Sequence, residues 1–271
     1  MMLQILFALL FGLIIGSFLN VVIYRFPQMY SQSFQMSNDL PLDTLYQKTE
    51  NIVRQSFNLA TPRSHCPHCK SSIAWYDNIP LISFILLRGQ CRNCKQKISW
   101  RYPLVEIITA FLFILLTIKF GISTVTFFSM IFSAILIILA AIDLKHWILP
   151  DRLTLSLLWI GLSVNAFHLF TNPQSAILGA ILGFGLLWLI NLLYYLWRNK
   201  DGIGQGDFKL LAALGAWIGF ENIPMVLFIS AILGSVIGLG LILINKRFHK
   251  QSALPFGPFL AFAGWIMLTY F

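Results

Sequence analysis

The chain has 271 residues, is 58% hydrophobic and only 11% charged, with a mean hydropathy of +0.76. A water-soluble domain of this length cannot hide so much apolar surface, so composition points to an all-α protein that crosses a bilayer several times. The net charge of +9 does not imply a nucleic-acid partner, because in a membrane protein what matters is the side on which Lys and Arg fall.

Leu3 to Tyr24 is apolar and about the roughly 20 residues long that a spanning helix needs. No Lys or Arg precedes it and Arg25 follows it. A secretory signal carries its positive charge in front, so this reads as a retained first helix, residues 1–24, with its amino end outside. Residues 25–101 form the long polar stretch, with ten of the nineteen Lys and Arg against four acids, Asp39, Asp43, Glu50 and Asp77. Within it, 29–64 is rich in Gln, Ser and Asn without a clear period and reads as a partly ordered loop or short helices without assigned chemistry. Residues 102–271 hold seven more apolar runs, near 102–119, 124–143, 153–171, 175–197, 207–219, 222–244 and 255–270.

The loops between these runs alternate in charge. With the amino end outside, eighteen of nineteen Lys and Arg fall on one side and only Lys119 on the other. The positive-inside rule then gives about eight transmembrane helices, both termini outside, and residues 25–101 in the cytoplasm. Asp143 and Asp207 fall at the same, cytoplasmic, face. Glycines inside the runs (179, 183, 185, 215, 234, 238 and 240) read as packing surfaces. Trp147, Trp197 and Trp217 read as lipid-contacting or interfacial anchors, and His168, towards the outer end of its run, as a packed or interfacial residue.

All four cysteines lie within 29 residues, as two C-x-x-C pairs: Cys66 with Cys69, and Cys91 with Cys94. Each pair can offer two thiolates to one metal, and together they complete a tetrahedral zinc site of the zinc-ribbon type. Two disulfides are the alternative, opposed by the reducing cytoplasm. Four thiolates leave no open position for water, so such a zinc is structural. His65 and His68 read as loop residues.

Gly204-Gln205-Gly206-Asp207-Phe208-Lys209 opens one apolar run, and Asp143 closes another. A carboxylate at the lip of a membrane helix is costly and marks a functional site. Two carboxyls that share one proton can act as base and acid on a water and a peptide carbonyl. The alternative makes Asp207 an N-cap and Asp143 a surface acid paired with Lys145. Asp151, after Pro150, reads as a capping residue, and Asp201 as a solvated one.

Five blocks, in order, resemble the type IV prepilin peptidase family, the GxGD-type aspartic membrane proteases that are also N-methyltransferases. They are Gly16-Ser17-Phe18-Leu19-Asn20 through Arg25; Cys66 to Glu106, with Asp77-Asn78-Ile79-Pro80, Arg88-Gly89 and Arg101-Tyr102-Pro103-Leu104-Val105-Glu106; Asp143 with Pro150-Asp151; Gly204 to Lys209; and Pro255-Phe256-Gly257-Pro258-Phe259. The resemblance implies a bacterial inner-membrane enzyme whose catalytic acids are Asp143 and Asp207. Its partners are prepilin and pseudopilin precursors of type IV pili and type II secretion, each with a short basic leader ending in Gly before a hydrophobic helix usually beginning with Phe. It further implies methylation of the new amino terminus with S-adenosylmethionine, associated with the cytoplasmic domain, where Asn78, Arg88, Gly89 and Glu106 are the candidate binding residues. Each also reads more plainly: Asn78 as a turn, Gly89 as a bend, Arg88 as a solvated charge, Glu106 as a partner of Arg101. Asn20 and Arg25 are expected to tie the first helix to the loop domain. Competing readings are a peptidase without methylation and a zinc-binding membrane scaffold or transporter.

Overall fold

The structure, a computed structural model, describes residues 1–38, 58, 59, 61, 63–244 and 254–270. Most of the 29–64 stretch and the cations Lys246, Arg247 and Lys250 lie outside the described residues. The described residues are helical, with no strand beyond two isolated bridges. They divide into two compact units, Met1–Ile122 and Ser123–Phe271.

The first unit contains α1 (Met2–Asn38), a 3-10 turn (Trp75–Asn78), the short α2 (Ile82–Leu86) and α3 (Arg101–Phe120). Helix α1 continues past the expected end at Tyr24 and carries Pro27. It packs along α3, and the approach is close: a Cβ on Gly16 would lie 2.7 Å from Glu106 Cα. Asn20 donates from Nδ2 to the Tyr102 carbonyl at 3.0 Å, and Arg25 donates to the Asn58 carbonyl at 2.8 Å. Asn20 thereby ties α1 to the start of α3, and Arg25 ties it to the polar stretch, as expected.

The second unit contains α4 (Thr124–His146), α5 (Asp151–Asn165), α6 (Pro173–Arg198), α7 (Gln205–Ile218), α8 (Ile223–Ile244) and α9 (Gly257–Tyr270), with a 3-10 turn at Phe220–Asn222. Helix α7 is buried nearly all round, as befits a helix apolar on every face. It packs against α5, α6 and α9. Against α6 the backbones touch: a Cβ on Gly215 would collide with the Gly179 carbonyl, and one on Gly179 with that of Gly215. Gly185 and Gly240 meet nothing within 4 Å, so the packing reading fails for those two.

Trp217 on α7 is fully buried, unlike the exposed Trp147 and Trp197. Its indole donates to the Leu157 carbonyl at 2.8 Å and its ring lies 4.8 Å from that of Phe132. It is a core residue, not an interfacial anchor. Helix α5 stops at Asn165 rather than near 171, because the Asn165 carboxamide accepts from the amides of Phe170 and Thr171 while donating to the Ala216 and Trp217 carbonyls. His168 therefore sits exposed in a turn, at φ 57°, outside the helix.

Among the described residues, five helical stretches are long and apolar enough to cross a membrane: Met2–Met29, Arg101–Phe120, Thr124–His146, Pro173–Arg198 and Phe220–Ile244. Helices α5, α7 and α9 have 15, 14 and 14 residues. At 1.5 Å per residue these fall short of a hydrocarbon core of about 30 Å. The protein is thus an all-helical, multi-pass membrane protein.

The α6–α7 contact predicts a contrast between two glycines. Gly215→Ala should abolish recovery of monodisperse detergent-solubilised protein on size exclusion. Gly185→Ala should leave recovery and thermal midpoint unchanged.

Candidate active site and metal centre

Asp143 lies in the last turn of α4, which continues to His146, and Asp207 in the first turn of α7. Both are buried, with 6% and 8% of their surface exposed. The two acids are near enough for the charge of Asp143 to act on Asp207. The N-cap of α7 is Gly204, not Asp207, and that of α5 is Pro150, not Asp151. Asp151 instead accepts an ion pair from Lys209 at 2.7 Å, which ties the starts of α5 and α7 together. Among the described residues Asp143 makes no ion pair with Lys145. Asp201 is exposed and accepts from Asn191 at 3.0 Å.

Helix α9 packs on both α4 and α7. At its start the Gly257 amide donates to Asp143 Oδ2 at 3.1 Å. A Cβ on Gly257 would lie 2.6 Å from that oxygen, so only glycine brings the backbone this close. Leu149 lies between the two glycine-bearing segments: a Cβ on Gly206 would sit 2.7 Å from Leu149 Cβ, and one on Gly257 3.3 Å from its Cδ1. The Asp143 carboxyl is thus fixed from its own helix and from the segment that meets it, while the Gly206 backbone beside Asp207 packs on Leu149.

In the first unit the four cysteines converge, with their sulfurs all within 4.8 Å of one another and Cys66 Sγ 3.8 Å from Cys94 Sγ. None is in a disulfide. A tetrahedral zinc with Zn–S of about 2.3 Å needs sulfurs about 3.8 Å apart, so the set fits with small inward movement. Each knuckle closes the same way. The Lys70 amide donates to the Cys66 carbonyl and the Cys66 amide to the Ser71 carbonyl. The Lys95 amide donates to the Cys91 carbonyl and the Cys91 amide to the Gln96 carbonyl. Lys70 and Lys95 both take positive φ, 59° and 57°.

The Ser71 hydroxyl and then its backbone pull the Cys69 thiol down to about 6. Cys94 is pushed up to about 11: the Gln96 amide lowers it, but desolvation and the three other sulfurs outweigh that bond. Four thiols this near one another cannot all ionise without a cation among them. Between residues 63 and 100 Cys66 is the one buried residue among those whose burial is described, so this stretch has no apolar core of its own.

A cavity of about 700 Å³ opens beside the knuckles, entirely within the first unit. Asn78 and Glu106 line it; Arg88 and Gly89 do not, although their positive φ values of 52° and 67° shape the turn into the second knuckle. Glu106 is 7% exposed. Its Oε2 accepts from the Leu81 amide at 2.9 Å, and the Ser17 hydroxyl lies beside the same carboxylate. It does not pair with Arg101. Leu81 sits at φ 56°, ψ −44°, a conformation that costs a leucine on the order of 1–3 kcal/mol and aims its amide at the acid.

Against known proteins, the model of the bacterial peptidase A24 N-terminal domain matches residues 10–120, and that of the type IV leader peptidase family matches residues 130–239. A prepilin leader peptidase/N-methyltransferase of Aeromonas hydrophila is 42% identical over 96% of this chain and 89% of its own length. The chain belongs to the type IV leader peptidase family. A prepilin leader peptidase/N-methyltransferase of Dichelobacter nodosus is 43% identical over 99% of this chain and 92% of its own, and one of Neisseria gonorrhoeae 42% over 97% and 89%. No solved structure matches the chain significantly.

Three features of this family member are not among the sequence expectations. Cys66–Trp75 and Cys91–Trp100 share the pattern C-x-x-C-K-x-x-I-x-W at an offset of 25, so the like folding of the knuckles is visible as an internal repeat. The Gly257 contact and the strained Leu81 leave no such mark.

In metal-free protein at pH 7, iodoacetamide should modify Cys69 before the more exposed Cys94, read by peptide mass spectrometry. One equivalent of Zn²⁺ should protect all four cysteines. Faster modification of Cys94 would contradict the thiol ordering.

Proposed function

We propose that this chain cleaves the leader peptide of type IV prepilins and pseudopilins through Asp143 and Asp207, and then methylates the exposed amino terminus with S-adenosylmethionine. The observation that carries the reading is the pair of buried acids on α4 and α7, each beside a glycine-bearing segment. It stands in a chain 42–43% identical, nearly end to end, to proteins named for both activities.

Two carboxyls whose charges repel retain one proton between them. The ionised one takes a proton from water, and the water oxygen bonds to the carbonyl carbon of the leader's terminal glycine. The protonated one gives its proton to the carbonyl oxygen. The tetrahedral intermediate then expels the amine of the following residue, which leaves with a proton from the pair. The Gly257 amide holds Asp143 Oδ2 in place.

Cleavage belongs to residues 102–271 and methylation to residues 25–101 together with Glu106; Asn78 and Glu106 would meet the donor in the cavity, and Arg88 and Gly89 would act from the turn into the second knuckle. S-adenosylmethionine supplies an electrophilic methyl group. The chain must present the neutral terminal amine to it in line and take up the amine's proton. A structural zinc on Cys66, Cys69, Cys91 and Cys94 would join the two knuckles. The charge asymmetry supports an orientation in the bacterial inner membrane with both termini periplasmic and the cysteine domain cytoplasmic. It also makes the +9 charge a feature of topology rather than of nucleic-acid binding. This orientation sets both acids at the face where a leader would be cut.

Asp143→Asn and Asp207→Asn should each bring prepilin cleavage below detection, with thermal midpoints close to wild type. Gly257→Ala should lower cleavage about a hundredfold by displacing the Asp143 carboxylate. Gel-shift assays with a purified prepilin check all three. Full cleavage by either asparagine variant would refute the dyad.

A further inference from the structure

The first-unit cavity contains a carboxylate, Glu106, that makes no ion pair among the described residues. Asp77 also lines it, but Asp77 already takes two hydrogen bonds from Arg92, at 2.6 and 2.8 Å. That guanidinium lies 5.4 Å above the Tyr76 ring, so acid, cation and aromatic form a closed set. Asp77 is accordingly held below the usual carboxylate range, first by the Arg92 hydrogen bonds.

Glu106 differs. Neither ion pair among the described residues involves it. It is buried, at the floor of the cavity, with Oε2 taken by the Leu81 amide. A carboxylate has about four acceptor positions, and among the described residues the Leu81 amide and the neighbouring Ser17 hydroxyl are the donors that meet it. A buried acid in that state is stabilised by a cation that also brings N–H donors. The close fit of Gly16 against Glu106 Cα and the strained Leu81 hold the carboxylate in place, which is what an anchoring group requires and a chance surface acid lacks.

We propose that Glu106 anchors the α-ammonium group of the methyl donor's methionyl end. This rests on the reading that the chain uses S-adenosylmethionine. The donor has two cationic centres. Its sulfonium has no hydrogen to give, and a carboxylate beside it would stabilise the charge that methyl transfer removes. Its α-ammonium has three N–H donors, which match the acceptor positions left on Glu106. The cavity, at about 700 Å³, has room for an adenosyl group beyond that anchor, and its walls include Tyr76, Phe84 and Tyr102. Glu106 is then a binding residue for both the donor and its demethylated product, since the product keeps the ammonium.

Three ligands separate the possibilities by calorimetry on the full chain in detergent or nanodiscs. S-adenosylmethionine has both cations, S-adenosylhomocysteine only the ammonium, and 5′-methylthioadenosine neither. Glu106→Gln should weaken the first two alike, by about 10- to 100-fold, the range of a charge-assisted hydrogen bond. It should leave 5′-methylthioadenosine unchanged, which shows the cavity intact. Glu106→Asp, which keeps the charge, should recover part of the loss. Loss confined to S-adenosylmethionine would place the sulfonium, not the ammonium, at Glu106 and overturn the assignment. Equal loss of all three would make Glu106 structural, and no loss would remove it from the site; either overturns the assignment. Failure of the wild-type chain to bind any of the three would overturn the methyl-transfer reading, and this assignment with it.

Discussion

Helix α7 has no free face, and the placement of Asp207 follows from that. A helix enclosed by α5, α6 and α9 cannot roll, because each rotation would drive Cβ atoms into neighbouring backbone. Gly215 against Gly179 sets the depth of the helix, and Trp217, bonded to the Leu157 carbonyl, sets its rotation. Lys209, one turn from the start, reaches out of the packed region to Asp151 and fixes the end at which Asp207 lies. A costly buried carboxylate is thus held by apolar packing elsewhere on the same helix, far from the polar atoms it serves.

That arrangement explains which parts of the site are legible in the sequence. An acid at the end of an apolar run stands out against 58% hydrophobic composition, and alternating loop charge assigns both acids to one face. The two C-x-x-C pairs are legible for a similar reason: thiols at metal spacing have few other uses. Interactions made by backbone atoms leave no such sign. The Gly257 amide reaches Asp143 across 114 residues of sequence, and although Gly257 stands in a family-like block, nothing in the sequence says which acid its amide meets. Trp217 reads wrongly as an anchor because an aromatic in a membrane run has the same appearance whether it faces lipid or core. Asp151 reads wrongly as a cap because capping and ion pairing both favour an acid in a first helical turn. Helix α5 ends early because the Asn165 side chain supplies hydrogen bonds to a turn, which hydropathy does not register.

The two units are held by different forces. The second has a continuous apolar core running through α4, α5, α7 and α9. The stretch from residue 63 to 100 in the first has almost nothing buried apart from Cys66. A segment that small cannot offset its ordering entropy with apolar burial, and metal binding is a usual substitute. Two copies of one knuckle, each closed by the same backbone bonds and a lysine at positive φ, present four sulfurs at near-tetrahedral separations.

The cavity in the first unit inherits this dependence. Cys66 and Cys91 contribute to its wall, while Ser17, Asn20 and Glu106 contribute from α1 and α3. One side of the cavity is therefore set by close helix packing and the other by the thiol cluster. A cation joining the knuckles would bear only on the second side, since the Gly16 approach and the Asn20–Tyr102 bond do not involve the cysteines. Glu106 stays fixed on its helix, but the Leu81 amide that meets it belongs to the loop between the knuckles. A ligand held at Glu106 and a metal held at the cysteines would be coupled through that short connection. The acids of the second unit are held by contacts that include none of these residues.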